Sequence, residues 1–180
     1  TRIDGSWDGC GGYHYSDSVI YGFSHTHLSG TGCSDYGDIM LMPFTGVFDT
    51  GKKIQSKFSH TNEKASPGFY SVKLDDSNVQ VELTSTLRSG FHKYSFPQGS
   101  NANILLDLTH RDQVLASEIH IVDSTHVQGY RRSSAWSKNQ IVYFALEFSK
   151  PFISIKGEID SLLMDGMNSG KIFNAKKILC

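Results

Sequence analysis

Residues 79–84 have the sequence VQVELT, in which three apolar side chains alternate with polar ones. An apolar period of two is typical of a β-strand that buries one face. The stretch EIHIV at residues 118–122 repeats the alternation. Both stretches therefore predict strands, and β-favouring residues extend the prediction to 69–74, 103–108 and 152–156.

Residues 140–148, QIVYFALEF, differ because apolar side chains occupy both faces of the predicted strand. Such a strand is expected to lie between two covering layers. Turn signals separate the strands at 75–78, 97–101 and 149–151. Only 159–167 could form a short helix, which two glycines limit. We expect an all-β fold, an antiparallel β-sandwich with two strand layers.

Composition limits the classes of function. The chain has 180 residues, of which 38% are hydrophobic and 19% charged, as in an ordinary folded domain. We treat residues 1–180 as one domain. The formal net charge of −1 gives no global field for nucleic acid or anionic lipid, and no apolar run is long enough to span a membrane.

The termini and the cysteines say little about the cellular compartment. The start, TRIDG, has neither an initiator Met nor a signal-peptide pattern, and the tail stops in an apolar triplet, so we expect both ends to be cut. The three cysteines are Cys10, Cys33 and Cys180. Cys10 and Cys33 could pair in an oxidising compartment, and their spacing does not suggest structural zinc.

The segment most suggestive of chemistry is GFSHTHLSGTGCSDYGD at residues 22–38. Its glycines allow the backbone to approach a ligand closely. In an extended strand His25 and His27 would project from one face, where they could bind a metal, bind sugar hydroxyls or play a structural part. The segment lacks the pattern of a phosphate-binding loop and of a nucleophile elbow.

This segment closely resembles glycoside hydrolase family 92, the exo-α-mannosidases. The likeness runs in order over roughly residues 11–155, and its first two blocks are long and unusual. The resembling stretches are 11–15, 20–32, 35–38, 42–43, 58–60, 62–70, 82–84, 90–92, 94–97 and, more faintly, 148–152.

The resemblance implies a galactose-mutarotase-like β-supersandwich that precedes a large (α/α)6 barrel domain. It also implies inverting, calcium-dependent removal of terminal mannose from N-glycans, and export to the periplasm or cell surface. This chain is too short to include the barrel, and the isolated chain is therefore expected to be inactive. The sandwich itself is also expected to be incomplete. The general acid and base and most calcium ligands are expected in the barrel, which would be the sandwich's partner together with mannose-terminated glycans.

By resemblance, the −1 subsite contacts expected from this chain are His25, His27, Cys33, Asp35 and Tyr36. The Asp35 carboxylate could accept hydrogen bonds from two hydroxyls, and Tyr36 could place its ring against the pyranose. Cys33 would contribute shape. The structural alternative is that Asp35 and Asp38 simply cap turns.

The remaining candidates are interpreted as structural. The Asp75-Asp76 pair, Glu82 and Glu63 are expected in turns, on polar strand faces and in loops, where most carboxylates are solvated. Trp7 and Trp136 are interpreted as core or interface residues. Two alternative functions stay open: a stand-alone carbohydrate-binding module, and a docking domain with an exposed apolar face.

Overall fold

The computed structural model describes residues 12–28, 35–49, 52–159, 162–165, 170–173 and 175–180. It confirms an all-β, antiparallel sandwich, in which the described residues add one 3₁₀ turn at His60–Asn62. The strands are β1 (Val19–Ile20), β2 (Met40–Thr45), β3 (Ser56–Lys57), β4 (Glu63–Ser66), β5 (Phe69–Lys73), β6 (Gln80–Ser85), β7 (Gly90–Ser95), β8 (Ala102–Asp107), β9 (Gln113–Ile121), β10 (His126–Ser134), β11 (Gln140–Glu147), β12 (Lys156–Ile159), β13 (Leu162–Asp165), β14 (Gly170–Phe173) and β15 (Ala175–Leu179).

The sandwich has three strand layers where two were expected. A five-stranded sheet, in the order β13-β12-β15-β8-β2, is the middle layer. The sheet β11-β10-β9-β14 packs on one of its faces and the sheet β4-β5-β6-β7 on the other, while β1 and β3 form a separate ribbon.

The middle layer separates two hydrophobic cores. Successive side chains of a strand point to opposite faces, so Leu106 of β8 joins the core against β9 and β10, while Leu105 joins the core against β5 and β6. Ile178 and Leu179 of β15 divide in the same way. Strands β8 and β15 therefore contribute apolar side chains to both cores.

Strand β2 is the edge of the middle layer and contains a proline. Leu41 exchanges backbone hydrogen bonds with Phe23, at 2.8 and 2.9 Å, on the side away from β8. Backbone N–H groups alternate in direction along a strand, so the nitrogen of Pro43, like that of Leu41, points away from β8. Its missing N–H therefore removes no hydrogen bond of the ladder to β8. The Phe23 bridge also brings residues 22–25 alongside 38–41, since the N–H of His25 donates to the carbonyl of Asp38 at 3.0 Å.

The prediction that residues 140–148 lie between two layers is wrong for this chain. Val142 and Phe144 do pack on the core, but Tyr143 is 75% exposed and Ile141 is also exposed. The reason is position, since β11 is the edge strand of an outer layer. Both faces are buried instead in strands of the middle layer such as β2, whose residues Met40–Phe44 are all buried.

Two predictions near the end of the chain are also wrong. The expected helix at 159–167 is a pair of antiparallel strands, because Ile159 pairs with Leu162 across a two-residue connection and β12 pairs on its other side with β15. Residues 160–161 and 166–167 lie outside the described part. The expected strand at 152–156 begins only at Lys156, because the N–H of Phe152 bonds to the Ser124 carbonyl at 2.9 Å rather than to a ladder.

Among the described residues, no helix is long and apolar enough to cross a membrane. Cys180 is a free thiol, and burial raises its pKa to about 12. Cys10 and Cys33 lie outside the described residues, so their pairing stays a prediction.

The three-layer arrangement predicts that neighbouring positions of β8 are equally sensitive to truncation. Leu105→Ala and Leu106→Ala should each lower the free energy of unfolding by about 2–5 kcal/mol, because each leaves a cavity in a different core. Chemical denaturation measures both. Leu87→Ala, at an exposed position, is the control and should change stability by less than ~0.5 kcal/mol. A tolerant Leu105 or Leu106 would contradict a middle layer covered on both faces.

Candidate functional site

The loop that precedes β2 is held against the turn between β10 and β11. Asp35 is only 5% exposed, and its carboxylate accepts the backbone N–H groups of Trp136, at 3.0 Å, and Ser137, at 2.6 Å. These bonds join residues that are about one hundred positions apart in the chain. They match the capping role of an aspartate, applied here to a distant turn.

Three residues further on, Asp38 forms a buried ion pair with Arg131 of β10. Its second oxygen accepts the side-chain amide of Gln140 at 2.7 Å. Arg131 is fully buried and also donates to two backbone carbonyls, to that of Leu108 at 2.6 Å and to that of Arg111. One guanidinium therefore fixes the loop before β2 and the segment after β8 to the outer sheet.

Tyr36 and Gly37, between the two aspartates, both have left-handed backbone conformations, with φ of 67° and 70°. Tyr36 is 37% exposed. A methyl group on Gly37 would lie 2.9 Å from Nη1 of Arg111 and 2.9 Å from Cε1 of His27, so a side chain here would displace these groups as well as strain the backbone. His110 fixes the turn further, since its Nε2 lies 2.7 Å from the Gly37 carbonyl.

His27 is packed between two glycines. A methyl group at Gly12 would lie 2.5 Å from its ring, as one at Gly37 would also be too close. Its Nε2 shares a hydrogen bond with the hydroxyl of Ser24 at 2.6 Å, while Nδ1 is buried without a partner. Burial, with a contribution from the nearby Arg111 cation, lowers the pKa of His27 to about 4. The imidazole is therefore neutral at physiological pH.

His25 stacks on His92 of β7, with ring centroids 4.8 Å apart and planes 15° from parallel. Nδ1 of His92 shares a hydrogen bond with the Tyr94 hydroxyl at 2.6 Å, and Nε2 of His25 is buried without a partner. Burial lowers the pKa of both imidazoles, that of His92 to about 4. Two neutral rings can stack without charge repulsion.

The two histidines do not share a strand face as the spacing predicted. Thr26 between them has a φ of 60°, which turns the chain and sends His25 towards β7 and His27 towards Gly37. Nε2 of His25, Nδ1 of His27 and Nη1 of Arg111 are all buried side-chain nitrogens that lack a hydrogen-bond partner. Such groups are uncommon in folded proteins and are usually satisfied by water or a ligand.

The predicted site residues thus have different surroundings. His25, His27 and Tyr36 lie in one loop system, whereas both oxygens of Asp35 are engaged by backbone donors. Cys33 lies outside the described residues. None of the described contacts decides whether these side chains touch a sugar, so the predicted roles stay predictions.

Arg111, His92 and Arg131 were missed by the sequence reasoning. His92 belongs to a stretch that carried the family resemblance, which was the available signal. The two arginines follow no local pattern, since long-range packing brings them to the loop. Trp136 was interpreted as a core or interface residue, but its side chain is 78% exposed, so the core interpretation is wrong. Trp7 lies outside the described residues.

The described residues do not suit a metal ion. Within the part of the chain that the structure describes, no group of three or more His, Cys, Asp or Glu side chains converges as a metal site would need. Asp35 is engaged by two N–H donors, and Asp38 by Arg131 and Gln140. Neither carboxylate is therefore free to serve as one of the oxygen ligands that calcium prefers.

Glu63 also departs from its prediction as a loop residue. It begins β4, and its nearly buried carboxylate accepts Tyr70 and His60, each at 2.6 Å, and Tyr13 at 3.1 Å. Burial opposes its ionisation, yet these hydrogen bonds together hold the pKa of Glu63 below its ordinary value. Glu82, by contrast, forms a part-exposed ion pair with Lys93, as expected of a surface carboxylate.

Comparison with known proteins gives consistent matches. Residues 1–172 match the model of the glycosyl hydrolase family 92 N-terminal domain. The chain is similar to the solved family 92 α-mannosidase of Bacteroides thetaiotaomicron, with 30% identity and a TM-score of 0.88 over 97% of this chain. A second solved family 92 glycosyl hydrolase matches with 27% identity and a TM-score of 0.72 over 94% of the chain.

The curated proteins include an uncharacterized secreted glycosidase of Arthroderma benhamiae that is 33% identical over 123 residues, which is 59% of this chain. The chain spans 26% of the length of each of the two solved enzymes and 16% of the fungal relative. The similarity therefore concerns one part of much longer proteins.

The buried pair predicts a large cost for removing one charge. Arg131→Met should lower the free energy of unfolding by about 3–5 kcal/mol, because it leaves Asp38 buried without its counter-ion. Lys93→Met removes the part-exposed ion pair with Glu82 and should cost less than ~1 kcal/mol. Denaturant titration compares the two. Equal losses of unfolding free energy in the two variants would contradict the prediction, because they would mean that Asp38 becomes solvated when Arg131 is removed.

The lowered histidine pKa values predict acid sensitivity. Between pH 6.5 and about 4 the unfolded chain binds protons at His27 and His92 and the folded chain does not, so stability should fall as the pH falls through this window. His92→Gln should make the dependence shallower, and Leu87→Ala, which changes an exposed side chain that does not titrate, should not. Urea unfolding at several pH values tests this, and unchanged slopes in His92→Gln would refute it.

Proposed function

The chain belongs to glycosyl hydrolase family 92, whose N-terminal domain it contains, and from this premise we propose that it is part of an inverting exo-α-mannosidase. The full-length protein would remove terminal mannose from N-glycans, in α-1,2 and related linkages. The loop at residues 22–38 would line the −1 subsite. The observation that carries this proposal is the family match over residues 1–172, joined to unpartnered polar groups in that loop.

Neutral imidazoles are well suited to bind sugar hydroxyls. A neutral ring has one donor and one acceptor nitrogen, and a hydroxyl group can complement either. His27 Nδ1 and Arg111 Nη1 both border Gly37, so one hydroxyl or water between them could donate to the first and accept from the second. Tyr36, part-exposed beside them, offers the ring expected to contact the pyranose.

The acid and base of hydrolysis are proposed to come from outside the described residues. Inverting glycosidases need two carboxyl groups about 6.5–9.5 Å apart with a water between them. Asp35, Asp38 and Glu63 are each engaged by two or more donors within this fold, which leaves none of them as a mobile proton carrier. The isolated chain is accordingly proposed to be inactive.

The calcium requirement is proposed for the full-length protein with ligands beyond the described part of the chain. The Asp35 and Asp38 surroundings support this division, because both are already neutralised or saturated. We further propose export to the periplasm or cell surface, in keeping with the secreted fungal relative.

A docking role accompanies the proposed catalytic one. The outer face of β10 and β11 displays Tyr143, Ile141 and a Tyr130–Tyr143 ring contact at 5.8 Å. Exposed apolar side chains grouped in this way are common where another domain packs. The expected occupant is the (α/α)6 barrel of the same protein.

The proposal is tested in the full-length protein by mannose release from α-mannobiose, with and without a calcium chelator. His25→Ala should lower kcat/KM by about tenfold or more, because a hydrogen bond to a hydroxyl is lost at the −1 subsite. Ser77→Ala is the matched control, since its hydroxyl is also buried without a partner but lies in the turn between β5 and β6. Absence of mannose release from the folded full-length protein would overturn the proposal.

A further inference from the structure

Two stretches that carried the family resemblance meet away from residues 35–38. The segment Tyr13–Tyr15 lies against the 3₁₀ turn His60–Asn62 and the start of β4. Glu63 is the link, because its carboxylate accepts the hydroxyl of Tyr13 and Nδ1 of His60. The Glu63 bond fixes the His60 ring, with the proton on Nδ1.

Tyr15 is held flat on that ring. The two rings stack with centroids 4.2 Å apart and planes 17° from parallel, and Phe58 packs its edge against the same imidazole at 5.1 Å. Tyr15 is nevertheless 71% exposed. A large aromatic side chain is thus presented to solvent in a fixed orientation, with only one of its faces covered.

A shallow groove of about 480 Å³ lies beside this platform. The lining of the groove is mainly apolar and includes the rings of Tyr15, Phe58 and His60, while Asp17 and the hydroxyl residues Ser16, Ser18, Ser59 and Thr61 complete its walls. An aromatic face bordered by hydroxyl groups is chemically suited to an uncharged pyranose, which has an apolar C–H face and a rim of hydroxyls.

The groove lies near the loop of His25 and His27. Gly12 packs on the ring of His27, and only three residue steps separate it from Tyr15. Three steps of extended chain span at most about 11 Å. The two places therefore lie within the length of a short oligosaccharide.

We propose that the groove formed by residues 15–18 and 58–61 binds the sugar residue that follows the terminal mannose of the substrate, with Tyr15 as its stacking platform. This inference rests on the proposed function for the identity of the substrate. It adds a specificity-determining site for the part of the glycan that is released as the leaving group.

The test uses the full-length protein and two substrates, methyl α-mannoside and a linear mannotriose. Tyr15→Ala should lower kcat/KM for mannotriose by roughly two- to tenfold, through a raised KM, because a stacking contact is lost. Activity on methyl α-mannoside, which has no second sugar, should stay unchanged. Tyr15→Phe keeps the ring and should behave as the wild type, as should Ile153→Ala, which removes an exposed apolar side chain that takes no part in the groove.

If Tyr15→Ala lost kcat/KM equally on both substrates, or lost none on mannotriose, the proposed role of the groove would be overturned. If the wild-type protein releases no mannose from either substrate, the proposed function fails, and calorimetric titration with mannotriose then tests the groove alone. Weaker binding by Tyr15→Ala than by the wild type would support it. Equal binding, or no binding by the wild type, would overturn it.

Discussion

The buried guanidinium of Arg131 is the constraint on which the candidate site depends. It belongs to an outer layer of the sandwich, yet its partners are Asp38, before the first strand of the middle layer, and the carbonyls of Leu108 and Arg111, after β8. A charge without solvent must keep all its partners, because an unpaired buried ion is costly. The layers are therefore joined by polar bonds as well as by apolar contact, and the loop has little freedom to move.

That rigidity determines the chemistry of the neighbouring side chains. With Asp35 and Asp38 fixed by the β10–β11 hairpin, the turn at Gly37 stands close enough to His27 and Arg111 to exclude any side chain of its own. The imidazoles of the loop are enclosed and uncharged as a consequence. Two of the buried polar groups left without partners, Nδ1 of His27 and Nη1 of Arg111, border the same turn.

The sequence allowed the strands and their type to be predicted, but the layering could not be read from it. Alternation in residues 79–84 identifies one buried face reliably, as β6 shows. A strand with apolar residues on both faces is ambiguous, since only tertiary packing decides whether the second face is covered; this is why residues 140–148 were placed inside and proved to be at an edge. In the loop, the glycines and histidines were identifiable locally. The parts played by Arg131, Arg111 and Trp136 arise from contacts across the whole fold.

The double-sided apolar character of β8 has a consequence for folding. In an ordinary half-exposed strand, a slip of one residue turns the hydrophobic side chains into water and is strongly opposed. If β8 slipped by one residue between β2 and β15, Leu105 and Leu106 would instead exchange places between the two hydrophobic cores. A polar contact at the end of the strand then helps to set the alignment, because the Asp107 carboxylate lies 3.7 Å from Nζ of Lys177 on the neighbouring strand β15. A slip of one residue would separate this pair and turn the carboxylate towards the opposite face of the sheet.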